Sequence, residues 1–172
     1  TDDTDKARSV AAFSIWTATA VALTYGIVLY FARPFVLPLV GANDATFGYC
    51  SQYLFWTVTV GGVPTVLNAL LAHLVRSEGH SRRASTGMAL GGILNIFGDY
   101  LLIRVLRMGV FGAGMATAIS QMISFSILLF FYLKKAQSSI SIRAVSRDIS
   151  DYIGICKVGF PSLIRQGLTS IS

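Results

Sequence analysis

An acid stands in the middle of an otherwise apolar stretch, GGILNIFGDYLLI, residues 91–103. Asp99 follows Asn95 by four residues, a spacing that stacks both side chains on one face of a helix. No base follows until Arg104. An amide oxygen beside a carboxylate, away from water, offers hard ligands to a small cation such as sodium. The same acid can instead carry a proton. The bland alternative is that Asp99 hydrogen-bonds a neighbouring helix or pairs with an arginine near the interface. Of the eight Asp and Glu residues, the other seven fall in termini, turns or a polar linker. An ionisable side chain within a bilayer costs about 2.5–3.5 kcal/mol on insertion scales, so it should face protein or a water-filled cavity.

Other polar side chains share the apolar stretches. Thr117 and Gln121 lie four residues apart and so on one helix face, where they can line a cavity, although Gln121 can equally serve helix–helix hydrogen bonding. Asn68 follows a predicted kink and can face the interior. Trp16, Tyr30, Tyr53, Trp56 and Tyr100 read as interfacial or packing aromatics, with Tyr53 and Trp56 the candidates for a substrate cavity. His73 and His80 do not make a zinc pair, and Cys50 and Cys156 have no metal-ligand spacing. The glycines of GVFGAGMATAISQ lack both the spacing and the preceding strand of a nucleotide loop. No nucleophile–base pair, zinc signature or phosphate loop is present, so the chain does not read as an enzyme and needs no cofactor.

The elements that must position these residues are helices in a membrane. The 172 residues are 53% hydrophobic and 13% charged, against about a quarter charged in soluble domains. About 20 apolar residues span a bilayer as a helix, and four stretches reach that length: about 7–31, 45–74, 85–105 and 110–133. The fold class is all-α, a polytopic transmembrane bundle. Two prolines and a Gly-Ala-Asn-Asp turn in ARPFVLPLVGAND are expected to stop the first span, and Gly61, Gly62 and Pro64 to kink the second. Gly112, Ala113, Gly114, Ala116 and Thr117 give the fourth a small-residue surface for close helix approach. If the third helix leaves the hydrocarbon near Ile103, Asp99 lies about 6 Å below that boundary.

Residues 134–151 are polar and read as a linker; 152–172 begin a further segment, with Pro161 suited to a first helical turn. Apolar residues at helical spacing across 141–158 suggest a surface helix. The chain starts without Met and stops at GLTSIS within an apolar stretch, so a piece of a longer protein is expected. The net charge of +6 comes from bases in short flanking loops, the pattern of membrane topology rather than of nucleic-acid binding. Lys6, Arg8, Arg76, Arg82, Arg83, Lys134, Lys135, Arg143 and Arg147 fall on one side, against Arg33, Arg104 and Arg107 on the other. The loops 76–83 and 134–147 are therefore expected to be cytoplasmic.

ILNIFGDYLLI followed by GVFGAGMATAISQ resembles the fifth and sixth helices of the multidrug and toxic compound extrusion (MATE) transporters. LVGAND, VGGVPTVLNALLAHLVRSEGHSRRA and VGFPSLIRQGLTSIS extend the likeness over nearly the whole chain. The resemblance implies part of a twelve-helix, two-lobe antiporter of the cell membrane, monomeric when complete. Residues 1–133 would supply four helices of the N-terminal lobe, 134–151 the cytoplasmic inter-lobe linker, and 152–172 the start of the second lobe. It implies export of cationic or amphipathic organic compounds in exchange for protons or sodium ions. Its cation site would map to Asp99, Asn95 and Thr117, with Asn68 as the nearest match for a further Asn. The alternative is a lipid-linked precursor flippase of the same superfamily. Flippase cavities tend to be cationic, and no such cluster lies within the spans here.

Overall fold

The computed structural model describes the backbone of residues 2–133 and the side chains of 9–133. The expected linker, surface helix and further segment lie outside the described residues. The chain divides into two compact units, Thr1–Ser14 with Ser139–Ser172, and Ile15–Ser138. Of the first, only the opening turns of helix α1 are described; the candidate site lies in the second.

Among the described residues the structure is helical throughout, without strands. Helix α1 is Asp2–Leu39 and α2 is Phe47–Leu54, the latter continued by a π-helical segment, Phe55–Val60. Helix α3 is Gly62–Ser77, α4 is Ser81–Asp99 with a π-helical continuation over Tyr100–Val105, and α5 is Gly109–Leu133. Ser9–Leu39, Ser81–Val105 and Gly109–Leu133 are each long and apolar enough to cross a membrane, and the bent pair Phe47–Val60 with Gly62–Ser77 passes the same test when taken together. The protein is a multi-pass membrane protein.

Helix α1 ends at the expected Gly-Ala-Asn-Asp turn, but the two prolines do not stop it. It runs through Pro34 and Pro38, which remove two amide donors without breaking a helix that lies in a bilayer. Gly41 does the stopping, with φ at +97°. Its N–H donates to the Pro38 carbonyl and that of Ala42 to the Leu37 carbonyl, the paired bonds of a glycine C-cap. The kink at Gly61–Pro64 is as expected: the helix axis turns by 46° there. Pro64 cannot donate back to Val60, and the π turn ends with the Gly61 N–H reaching the Trp56 carbonyl, five residues back, at 2.8 Å. Gly61 admits the next helix as well, since a Cβ there would lie 3.3 Å from Ala118 Cα.

Helix α5 is the spine, and small residues let its neighbours close on it. Towards α4, a Cβ on Gly91 would sit 2.6 Å from Ser124 Cβ, one on Gly87 2.5 Å from a Leu128 methyl, and one on Gly98 3.1 Å from Ala116 Cβ. Towards α2 and its π continuation, a Cβ on Gly114 would meet Trp56 Cβ at 2.9 Å. The expected small-residue surface is thus two surfaces, Gly112 and Ala116 towards α4 and Gly114 towards α2. Helix α1 meets the π segment through Gly26, whose added Cβ would lie 3.3 Å from the Val58 carbonyl.

This seam gives a contrast between adjacent glycines. Gly91→Ala should lower stability by about 1–3 kcal/mol, because Ser124 Cβ is fixed to its backbone and cannot turn aside. Gly92 has nothing within 4 Å of an added Cβ, so Gly92→Ala should be neutral or stabilising by up to about 1 kcal/mol from helix propensity. Unfolding midpoints of both variants in detergent micelles check the pair.

Candidate functional site

Helix α4 presents Asn95 and Asp99 one turn apart, as their spacing requires, and α5 runs alongside with Thr117. Asn95 Nδ2 donates to Thr117 Oγ1 at 3.3 Å. The Thr117 hydroxyl gives its own proton to the Ala113 carbonyl at 3.0 Å. The Thr117 proton is thereby used, and the Asn95 amide oxygen is left as acceptor. Asp99 itself is half-buried. Its Oδ1 is buried and has no hydrogen-bond partner among the described residues. No guanidinium holds that oxygen, so the bland reading of a permanent arginine pair does not describe it.

Leaving a buried acceptor unmatched costs about 1–3 kcal/mol, more for a charged group. Native structures rarely leave such an atom without a role. A proton or a small hard cation would remove the cost, and the Asn95 and Thr117 oxygens lie on the same helix pair to share in holding a cation. The π-helical segment begins at Tyr100, the residue after Asp99. Such wide turns occur frequently at functional positions.

Asn68 stands apart from this group in its bonding. On α3 it is 7% exposed, and its Nδ2 donates to Gln121 Oε1 at 2.9 Å. Ser124 completes a second polar cluster, with its hydroxyl 3.1 Å from Asn68 Oδ1 and 3.0 Å from the Gly87 carbonyl. The structure therefore joins Asn68 and Gln121 to each other, one turn further along α5 than Thr117. Ser124 was not singled out in the sequence. Its position three residues after Gln121 and seven after Thr117, on one helix face, is the signal that marks it.

Tyr53 lines an apolar groove of about 610 Å³ with Leu37, Tyr49, Cys50, Thr57 and Val110. Trp56 does not line it. Its ring packs edge-on against Phe111 at 5.5 Å and against Phe55 at 5.8 Å, which makes it a wedge between the π segment and α5. No cluster of three His, Cys, Asp or Glu side chains occurs among the described residues.

No family model matches the chain. It is 28% identical over 169 residues to the multidrug export protein MepA of Staphylococcus saprophyticus, across 97% of this chain and 37% of that protein. The match to MepA of Staphylococcus aureus is also 28% identical, across 95% of this chain and 36% of that one. Among solved structures, a MATE transporter in the bent conformation superposes with a TM-score of 0.89 at 27% identity, over 99% of this chain and 38% of that one. A MOP superfamily transporter from Pyrococcus furiosus, whose binding pocket is described as of reverse polarity, superposes at 0.86 with 28% identity, over 99% of this chain and 38% of that one. The chain spans about 37% of the length of the curated relatives it matches. Those relatives are transporters rather than enzymes, and the likeness read around Asn95, Asp99 and Thr117 is borne out across nearly the whole chain: in sequence and in fold alike, it is similar to the MATE transporters.

Proposed function

We propose that this protein acts in the export of cationic or amphipathic organic compounds across the cell membrane, as an antiporter driven by inward movement of protons or sodium ions. The observation that carries the reading is Asp99 Oδ1, a buried carboxylate oxygen within a membrane-length apolar helix that has no hydrogen-bond partner among the described residues. Asp99 is the ion-binding group, with Asn95 and Thr117 as its neighbours. The apolar groove beside Tyr53 and Tyr49 suits the hydrophobic part of a substrate, with aromatic faces for its positive charge. Names of relatives as multidrug export proteins support the substrate class.

The mechanism follows from the electrostatics of one carboxylate. When charged, Asp99 favours an arrangement in which the site is open to water on the outer side. Arrival of a proton or sodium ion neutralises it, the unmatched oxygen is satisfied, and the helices repack around it. The ion can drive the change only by the difference in its affinity for the two arrangements. The repacked arrangement releases the organic cation outward. The flippase alternative calls for bases inside the bundle to hold a pyrophosphate. Arg104 and Arg107 are instead exposed near the end of α4.

Asp99→Asn keeps the size of the side chain and removes its charge. Ion-driven efflux of a fluorescent organic cation should be lost while membrane expression stays normal; efflux at the wild-type rate would refute the assignment. Imposing a sodium gradient and a proton gradient separately identifies the driving ion. Tyr53→Ala should raise the KM for an aromatic cation by about two- to fivefold, the weight of one exposed cation–π contact, with Tyr53→Phe close to wild type. Initial-rate measurements across substrate concentrations check this.

A further inference from the structure

The second polar cluster points along α5, away from Asp99 and towards the loop rich in bases. Thr117, Gln121, Ser124, Leu128 and Tyr132 follow one another at intervals of three or four residues, a single stripe on the helix. The first three carry oxygens, at steps of about 6 and 4.5 Å along the axis. Around Ser124, four oxygens converge from three helices: Gly87 O, Asn68 Oδ1, Gln121 Oε1 and Ser124 Oγ. Ser124 faces two acceptors, Asn68 Oδ1 and Gly87 O, with a single proton and can satisfy one at a time, so one of these oxygens is open to a passing cation or proton.

Next on the stripe comes Leu128, fully buried, with its methyls in the notch left by Gly87. Beyond it, Tyr132 is 2% exposed and its hydroxyl has no hydrogen-bond partner among the described residues. Glu78, in the turn between α3 and α4, lies within electrostatic reach of that phenol. Glu78 Oε1 is likewise buried without a partner. The stripe thus starts at the Thr117–Asp99 region with an unmatched acidic oxygen and ends beside another, with one apolar side chain closing the middle.

We infer that this stripe is the route by which the coupling ion leaves the Asp99 site: Gln121, Asn68 and Ser124 supply stepping oxygens, Leu128 is the plug, and Tyr132 with Glu78 forms the mouth. The inference rests on the reading of Asp99 as the ion site. It assigns a small hard cation, or a proton carried by water, as the passing species, because neutral hydroxyl, amide and carbonyl oxygens replace water for such species. With Leu128 seated in the Gly87 notch the route is shut, and movement of α4 against α5 is what opens it.

The test uses the protein in sealed vesicles, with radiolabelled sodium or a trapped pH dye as the ion probe. Ser124→Ala should slow ion-driven efflux by about tenfold, the weight of one hydrogen bond to a charged species, while the ion concentration giving half-maximal drive stays unchanged. Leu128→Ala should let the ion leak down its gradient without substrate, several-fold above wild type, and adding Asp99→Asn to it should abolish that leak. A leak that survives Asp99→Asn, or wild-type ion movement in both single variants while Asp99→Asn alone is inactive, overturns the route and leaves the Asp99 site standing. Full activity of Asp99→Asn instead overturns the site itself. Thermal melting of each variant confirms that the fold is retained.

Discussion

Inside a bilayer a polar atom has no water to turn to, and this constraint organises the whole helical bundle. Each hydroxyl on the spans must find an oxygen nearby. Ser14, Thr19, Thr24, Thr57, Thr86 and Ser126 solve the problem locally by donating to the carbonyl four residues back. Asn68, Gln121 and Ser124 solve it across helices. Four buried side-chain oxygens among the described residues stay unmatched, on Thr59, Glu78, Asp99 and Tyr132. Of these the Asp99 carboxylate is the acid within a membrane-length helix, where an unmatched oxygen costs most if it is charged.

The seam depends in turn on the absence of side chains. Lipid tails are as apolar as leucine, so burial alone does not drive these helices together, and close backbone approach has to supply the attraction. Gly87, Gly91 and Gly98 on α4 provide it by giving Leu128, Ser124 and Ala116 of α5 room to enter. The same approach brings Asn95 within reach of Thr117 and the Gly87 carbonyl within reach of Ser124. Packing and polar chemistry are therefore one feature here. The glycine spacing on α4 sets which polar groups can meet.

Much of this was legible in the chain. The apolar stretches marked the spans, the four-residue step from Asn95 to Asp99 fixed a shared face, and Gly61 with Pro64 marked the kink. Three features were not legible, each for a physical reason. Pro34 and Pro38 read as stops because proline ends helices in water; within a bilayer, where an unpaired backbone costs more, the helix is kept to Gly41. The π-helical segments carry no composition signal, since the shift of face that an extra residue causes cannot be seen in a stretch that is apolar on nearly every side. Asn68 could be assigned to the interior, but its partner could not. Whether it meets Asp99 or Gln121 depends on the turn of α3 after a 46° bend, which no periodicity encodes.

The size of the Asp99 term limits what it can do alone. Satisfying a buried oxygen is worth about 1–3 kcal/mol, and a coupling of that size changes an affinity about 5- to 150-fold. Moving a two-state protein from one arrangement almost wholly to the other requires about 5.5 kcal/mol. One ion at one carboxylate therefore biases the bundle without committing it. The remainder has to come from groups that also differ between the two arrangements. The contacts of Gly87 with Ser124 and Leu128 are of this kind, because moving α4 along α5 would break both together. On the proposed reading a substrate that binds one arrangement better would supply the rest. Tight coupling would then need no stronger ion site than Asp99, only an ion and a cargo that each favour one arrangement over the other by a few kcal/mol.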